Sequence, residues 1–177
     1  MPDGVRPPLV RALVQLGLVV LVLVAVGALA GAVWEWVWTA PVGVVVDHKW
    51  VAADESNLRG QFSGTGWFVI VGAVAGLVAG ALVALFLDQV PIATLVGVVV
   101  GSLLGVAVMY RVGVTLGPSD PVRAASSARE GAHLPAQLAV SGGSAWIAFP
   151  AGALVALSLV FLGLSAVHRD TERPEVA

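Results

Sequence analysis

Hydrophobic positions along this chain gather into four long runs, separated by two polar segments and one short turn. The central two runs, 67–87 and 92–116, lie back to back around the four residues 88–91. The first contains no charged residue and the second contains one, Arg111. About 20 apolar residues in a helix cover the ~30 Å hydrocarbon core of a bilayer. The pattern therefore predicts a transmembrane helical hairpin with a tight turn.

The first apolar run, 12–33, follows Arg6 and Arg11 and predicts an N-terminal membrane helix. A signal peptide is the alternative, because the residues Ala-Leu-Ala at 28–30 imitate a cleavage site. The run is longer than the usual h-region of about 7–15 residues, and it continues through three tryptophans. These features favour an uncleaved helix.

The last apolar run, 145–167, predicts the fourth membrane helix and contains Pro150. The helix either kinks or begins at that proline, and a start there still leaves about 27 Å of helix. The expected organisation is one membrane domain. Its parts are helices over 11–38, 66–87, 91–116 and 145–167, outer segments over 39–65 and 117–144, and a cytoplasmic tail over 168–177.

The two polar segments contain weaker signals for local structure. Val42–Val46 favours a strand that turns at 47–48 and returns through Lys49–Ala52, which would make a small hairpin. In the second segment, Asp120 before Pro121 is typical of a helix start, and a short helix over 121–130 is expected. Residues 134–140 are predicted to form a strand.

Composition sets the class of protein. The chain is 58% hydrophobic and 11% charged, with a mean hydropathy of +0.95, against about 25% charged in an ordinary soluble domain. We therefore expect an all-α integral membrane protein, a four-transmembrane-helix bundle with two extracytoplasmic segments. With a net charge of −2, nothing suggests nucleic acid as a partner, and none is expected. The absence of cysteine excludes disulfides and thiolate metal sites.

Four helices place both termini on one side of the bilayer, and charge distribution suggests which side that is. The terminal side carries Arg6, Arg11, Arg169 and Arg173, and the loop side carries Lys49, Arg59, Arg111, Arg123 and Arg129. These counts of four and five basic residues do not decide the orientation. The first and last helices, however, have arginines close to their terminal-side ends only, and charges near helix ends matter most. All six tryptophans fall on the loop side. We predict a bacterial plasma-membrane protein with both termini in the cytoplasm.

Glycines recur at every fourth position in three of the predicted helices. These glycines are Gly27 and Gly31; Gly72, Gly76 and Gly80; and Gly97, Gly101 and Gly105. Small residues at this spacing let helix backbones approach closely, and such contact drives helix association in lipid. The rows predict a tight glycine-zipper bundle. Self-association into a homo-oligomer is the alternative use.

Glu35, in the predicted helix over 11–38, and Arg111, in the predicted helix over 91–116, are the ionisable residues of interest within the membrane helices. Glu35 follows Gly31 by four residues and is expected to point into the bundle, near the outer interface. Arg111 lies at a comparable depth, so an ion pair between them would satisfy both. The alternative is that each side chain reaches headgroups or water separately.

His48 and His133 are candidate polar residues of the two outer segments. Neither has a recognisable metal-ligand spacing, so no metal and no cofactor are expected. The Gly-Thr-Gly sequence at 64–66 lacks the lysine of a phosphate-binding loop, and 142–146 lacks the last glycine of a nucleophile elbow. Without a catalytic motif, an enzyme is not predicted.

Several short features, taken in order, resemble a known family. They are the tryptophans that end the first helix, Asp54-Glu55-Ser56 leading to Gly64-Thr65-Gly66-Trp67-Phe68, the glycine-rich hairpin, Leu116-Gly117-Pro118 with Pro121, and Trp146 with Phe149-Pro150. This order is similar to a family of small four-helix actinobacterial membrane proteins of unknown function, some loosely labelled transporter permeases. The resemblance implies four helices and a plasma-membrane location, and it brings no active residues.

Three functions are compatible with these patterns. The first is a non-enzymatic accessory protein whose outer segments form a tryptophan-rimmed cap that binds a partner protein, lipid or envelope component. The second is a permease-like or channel-forming subunit that acts as an oligomer or with a partner. The third is an enzyme on lipid-linked substrates that uses Glu35 and polar groups of the outer segments.

Overall fold

The computed structural model describes residues 8–52, 55–87 and 91–171. In chain order the elements are α1 (Pro8–Val37), β1 (Val42–Val46), β2 (Lys49–Ala52), α2 (Glu55–Phe86), α3 (Pro91–Leu116), α4 (Pro121–Ala125), β3 (His133–Pro135), a 3-10 helix (Ser144–Ile147) and α5 (Ala148–Thr171). Four of the described helices, α1, α2, α3 and α5, are long and apolar enough to cross a membrane. The predicted set of four apolar helices is confirmed, and a small sheet accompanies them.

The long helices pack as two close pairs. α1 lies along α3, and α2 lies along α5, while smaller contacts join α1 to α2 and α3 to α5. α2 and α3 follow each other in the chain but touch much less. The two helices of the predicted hairpin are therefore consecutive in the chain, but each packs mainly against another helix, α2 against α5 and α3 against α1. Its turn, including Asp88, falls at 88–90, outside the described residues.

Backbone contact at glycines explains the pairing. A Cβ added to Gly27 would overlap the backbone of Gly105, and one added to Gly80 would overlap the backbone of Ala153. The predicted glycines at which an added Cβ would come within 4 Å of another helix are Gly27, Gly31, Gly72, Gly76, Gly80, Gly97, Gly101 and Gly105. In lipid such close approach supplies the van der Waals contact that holds helices together.

The sheet lies at the end of the bundle opposite the α2–α3 connection and has the order β2-β1-β3. β1 pairs antiparallel with β2 on one side and with β3 on the other. The predicted hairpin of β1 and β2 is confirmed with its bounds. Asp47 (φ 49°) and His48 (φ 56°) form its two-residue turn, and positive φ at both positions matches the strand twist.

Three boundaries differ from the predictions by five residues or more. α2 begins at Glu55 and not at 66, because hydropathy detects only the part of a helix that suits lipid and nothing in 55–65 breaks the helix. α4 ends at Ala125 and not at 130, since residues 131 and 132 hydrogen-bond to Val45 of β1. β3 stops at Pro135, and the next amide, that of Ala136, bonds to Pro41 O.

The last helix resolves the alternatives for Pro150. A 3-10 turn over Ser144–Ile147 leads directly into α5 at Ala148. Pro150 is thus the third residue of α5, within the first turn, where a missing N–H breaks no intrahelical bond.

Candidate functional site

One end of the bundle carries a folded cap. We define the cap as β1, β2, α4, β3 and the segment 136–143, so it contains parts of both predicted outer segments. β3 joins the second segment to the first through its pairing with β1. Ser141 N donates to Thr65 Oγ1 at 2.9 Å, which holds the segment against α2. The polar stretches are therefore one unit and not two separate loops.

Four aromatic rings fasten the cap end of the bundle. Trp34 meets Phe68 edge to face with 4.8 Å between centroids, and it stacks on Tyr110 at 6.3 Å. Trp146 lies 5.1 Å from Tyr110 and 5.9 Å from Phe68. Trp34 is fully buried, and its Nε1 donates to Gly64 O at 2.8 Å. Aromatic pairs of this geometry add stability beyond burial alone.

The tryptophans therefore do not form only a rim at the membrane interface. Trp34 and Trp38 are buried, whereas Trp36 between them is 82% exposed. The sequence contained a signal for this difference, since Trp34 and Trp38 continue the helical phase of Gly27 and Gly31.

A cleft of about 240 Å³ opens on the cap, and we call it the cap cleft. It is lined by Trp50, Asp120, Pro121, Val122, Ala136, Gln137, Ala139 and Ser141. Trp50 is fixed by an Nε1 hydrogen bond to Leu134 O at 3.0 Å. The carboxylate of Asp120 caps α4 by accepting from Val122 N at 2.9 Å, and it lies 3.7 Å from Arg123 Nε. An indole, a carboxylate, an amide and a hydroxyl together can bind a polar group.

The hairpin turn is held from the second segment by Glu130. Its carboxylate accepts from Asp47 N at 3.1 Å and from His48 N at 3.0 Å, and His48 Nε2 lies 3.9 Å from Oε1. Both side chains are more than half exposed. This arrangement satisfies backbone donors of the turn and so has a structural explanation.

No described hydrogen bond or ion pair joins any two of the four candidate polar residues. Glu35 is half-buried at the end of α1, and Arg111 is exposed on α3. Within residues 8–52, 55–87 and 91–171, no ion pair joins Glu35 to Arg111. His48 lies at the hairpin turn and His133 on β3, and both are exposed. Neither histidine forms a described hydrogen bond or ion pair with Glu35.

Metal-ligating side chains do not converge in the described part of the chain. There, no group of three or more His, Asp or Glu side chains could hold a metal ion. The cap cleft offers one carboxylate, Asp120, that is already engaged by Val122 N and Arg123. The arrangement is suited to binding a polar group.

A second concavity, of about 330 Å³, opens sideways between α1 and α2. Its lining is entirely apolar: Val26, Leu29, Ala30, Val33, Ile70, Val71, Val74, Ala75 and Val78. We call it the lateral groove. It exists because the glycine contacts bring α1 to α3 and α2 to α5, which leaves α1 and α2 less closely packed.

The opposite end of the bundle contains a buried polar contact that the sequence reasoning missed. Gln15 Nε2 donates to Leu87 O and to Thr94 Oγ1, the latter at 2.6 Å, and Gln15 is only 6% exposed. Gln15 is the single polar side chain in the apolar run 12–33, and that was the available signal. It ties α1 to the end of α2 and the start of α3.

No protein-family model matches this chain, and neither a curated protein nor a solved structure does. The resemblance to small actinobacterial membrane proteins therefore stays a prediction.

Proposed function

We propose that this chain is a non-enzymatic accessory protein of a bacterial plasma membrane, and that its cap binds a partner protein or envelope component outside the cell. The observation that carries the proposal is the pairing of β1 with both β2 and β3. That sheet makes one folded unit of the residues between the membrane helices. A folded unit of this kind can present a fixed surface to a partner.

The way the cap is attached supports a binding role. The Ser141–Thr65 hydrogen bond fastens the cap to α2, and the aromatic rings join the helices at the end of the bundle that carries the cap. A partner that binds there would meet a preorganised surface, which lowers the entropy cost of association. The cap cleft presents Trp50 with polar groups around it, and aromatic residues are enriched in the centres of protein interfaces.

The close packing of the helices argues in the same direction. Glycine contacts bring helix backbones together in both pairs, and the described titratable groups do not converge in a cleft. A binding protein needs neither a polar pathway nor an acid–base pair.

The experiment is purification of the tagged full chain from its native membrane in mild detergent, with measurement of the mass of the complex. We expect a stoichiometric partner. The double variant Val122→Arg/Gln137→Arg places two charges in the cap cleft and should lose that partner. Val51→Arg, an exposed position of β2 outside the cleft lining, is the matched control and should keep it.

Two results would contradict the accessory role. One is a homo-oligomer with bound lipid and no other protein. The other is a partner whose yield is equally unaffected by the cleft variant and the control.

The lateral groove favours a second candidate, a permease-like subunit that handles lipid. Its apolar lining is suited to an acyl chain, and it opens between two helices able to span a membrane. Bound lipid that falls in the variant Ala75→Phe, which would fill the groove, would support this candidate.

A further inference from the structure

The indole ring of Trp50 lies face-on against the backbone of Gly43 on the neighbouring strand. A Cβ added to Gly43 would come closest to Cε2 of the ring and would stand 2.5 Å from Nε1 and 2.6 Å from Cζ2, the two atoms bonded to Cε2 on that side. An approach within the ring plane would meet one of these two neighbours first, so the Cβ would stand over the ring face. Only a glycine at position 43 leaves room for the ring.

The other face of this indole is available to the cap cleft. Nε1 donates to Leu134 O at 3.0 Å, which fixes the rotation of the ring, and Gly43 covers the face that lies on the sheet. Trp50 is half-buried and lines the cap cleft. With one face covered, the ring presents its opposite face to the cleft. An aromatic face carries negative electrostatic potential.

The charge of the cleft lining has the same sign. Asp120 is the one charged residue among those that line the cleft. One of its oxygens accepts from Val122 N, and the other lies 3.7 Å from Nε of Arg123, whose side chain is 92% exposed. An ion pair this exposed contributes little, so the carboxylate of Asp120 can attract a second cation from the cleft side.

We propose that the cap cleft binds a cation, the ammonium group of a lysine or the guanidinium group of an arginine that the partner protein presents. The cation lies over the free face of Trp50, with Asp120 as its counter-charge. Tryptophan is the aromatic side chain that attracts cations most strongly. The oxygens of Gln137 and Ser141 offer acceptors for its N–H groups. This inference rests on the proposed function, which supplies the partner, and adds the chemistry of the group that the partner carries.

The test is an NMR titration of the full ¹⁵N-labelled chain with Nα-acetyl-lysine methylamide. A non-ionic detergent is required, because a choline head group would itself supply a cation. We expect saturable shifts of the Trp50 indole and the Gln137 amide, and none of the Trp36 indole, which is 82% exposed. The same probe acetylated at Nε has no charge and should bind about fivefold more weakly.

Two matched pairs of variants extend the test. Asp120→Asn should weaken binding of the lysine probe about fivefold, and it keeps the helix cap because Asn can still accept from Val122 N. Asp47→Asn removes the same charge at the hairpin turn, where Asn tolerates the positive φ, and should leave binding unchanged. Trp50→Phe and Trp50→Leu both lose the bond to Leu134 O, but only Phe keeps an aromatic face. Measured at the Gln137 amide, the Leu variant should bind more weakly.

The proposal is overturned if the lysine probe causes no saturable shift, if the charged and neutral probes bind equally, or if Asp120→Asn and Asp47→Asn bind the probe alike. Purification from the native membrane then tests the source of the cation. The yield of the co-purified protein should fall with Asp120→Asn and not with Asp47→Asn.

Equal yields, with a probe that still depends on Asp120, would assign the cation to a small molecule and overturn the partner side chain. If no protein co-purifies, the proposed function fails and the assignment to a protein fails with it. The titration still decides whether the cleft binds a cation, so the two failures are distinguishable.

Discussion

At the scale of single residues, the structure separates tryptophans that the sequence treats alike. Trp34 is fully buried and hydrogen-bonded, whereas Trp36, two positions later, is 82% exposed. In a helix, positions two apart point to different sides, and only one side of α1 faces the glycine contacts and the aromatic rings. Position relative to the neighbouring helix decides the role of each ring.

Trp34→Phe should destabilise the fold. The change removes the N–H that bonds to Gly64 O and leaves a small cavity beside Phe68 and Tyr110. We expect a loss of about 2 kcal/mol in the free energy of unfolding, from the lost hydrogen bond and the lost packing. Denaturant titration in detergent micelles measures it.

Trp36→Phe is the matched control on the same helix, and its effect should stay within about 0.5 kcal/mol. Equal losses in the two variants would show that the buried hydrogen bond contributes nothing.

At the scale of elements, the chain pairs helices that are distant in sequence. The apolar runs predict four helices well because length and composition alone determine them. The local β1–β2 hairpin is also predictable, since both strands and the turn are contiguous. Which helix packs against which is not predictable from the sequence. Glycine rows occur on α1, α2 and α3, and no row specifies which other helix it meets.

The cap is also difficult to predict from the sequence, because its parts are distant along the chain. β3 pairs with β1 across about 90 positions of the chain, and a three-residue strand has too few positions to show alternation. The cap cleft combines residues from β2, α4 and segment 136–143, so no single stretch predicts it. Of the predicted site residues, only His48 gains a described ion-pair contact, and its partner, Glu130, was not singled out as a candidate.

Gly27→Ala should weaken the α1–α3 pair, because the added methyl group would overlap the backbone of Gly105. Overpacking of this kind costs about 1–3 kcal/mol. We expect that loss in the same denaturant titration.

Gly17→Ala provides the control within the same helix, since nothing lies within 4 Å of a Cβ at that position. It should leave stability unchanged or raise it by up to about 1 kcal/mol through helix propensity. A stable Gly27→Ala variant would mean that the two helices can separate without cost.

At the scale of the whole molecule, the bundle has two different ends. One carries the cap, and the other carries the buried contact of Gln15 with the α2–α3 connection. This asymmetry gives the proposed orientation a direct test, because the chain contains no cysteine of its own.

A cysteine introduced at Ser127, which is exposed on the cap side, should react with a membrane-impermeant maleimide in intact spheroplasts. A cysteine introduced at Ala177 should react only after the membrane is opened, because arginines at the ends of the first and last helices favour the cytoplasm for both termini. Gel mobility after labelling reads out both variants. The reverse pattern would invert the proposed orientation and place the cap inside the cell.

The separation of α2 from α3 has a consequence for how the chain is made. Translation delivers segments in order, and α3 can meet α1 as soon as it emerges, because α1 is already present. α2 has to wait for α5, which is made after α3, before Gly76 and Gly80 gain the backbone they lie against. During that interval α2 offers its small-residue face to any other helix in the bilayer. If translation stops before α5 is made, the incomplete chain keeps the glycine face of α2 exposed in the bilayer. Such a chain would associate with other membrane helices and would be degraded by membrane proteases.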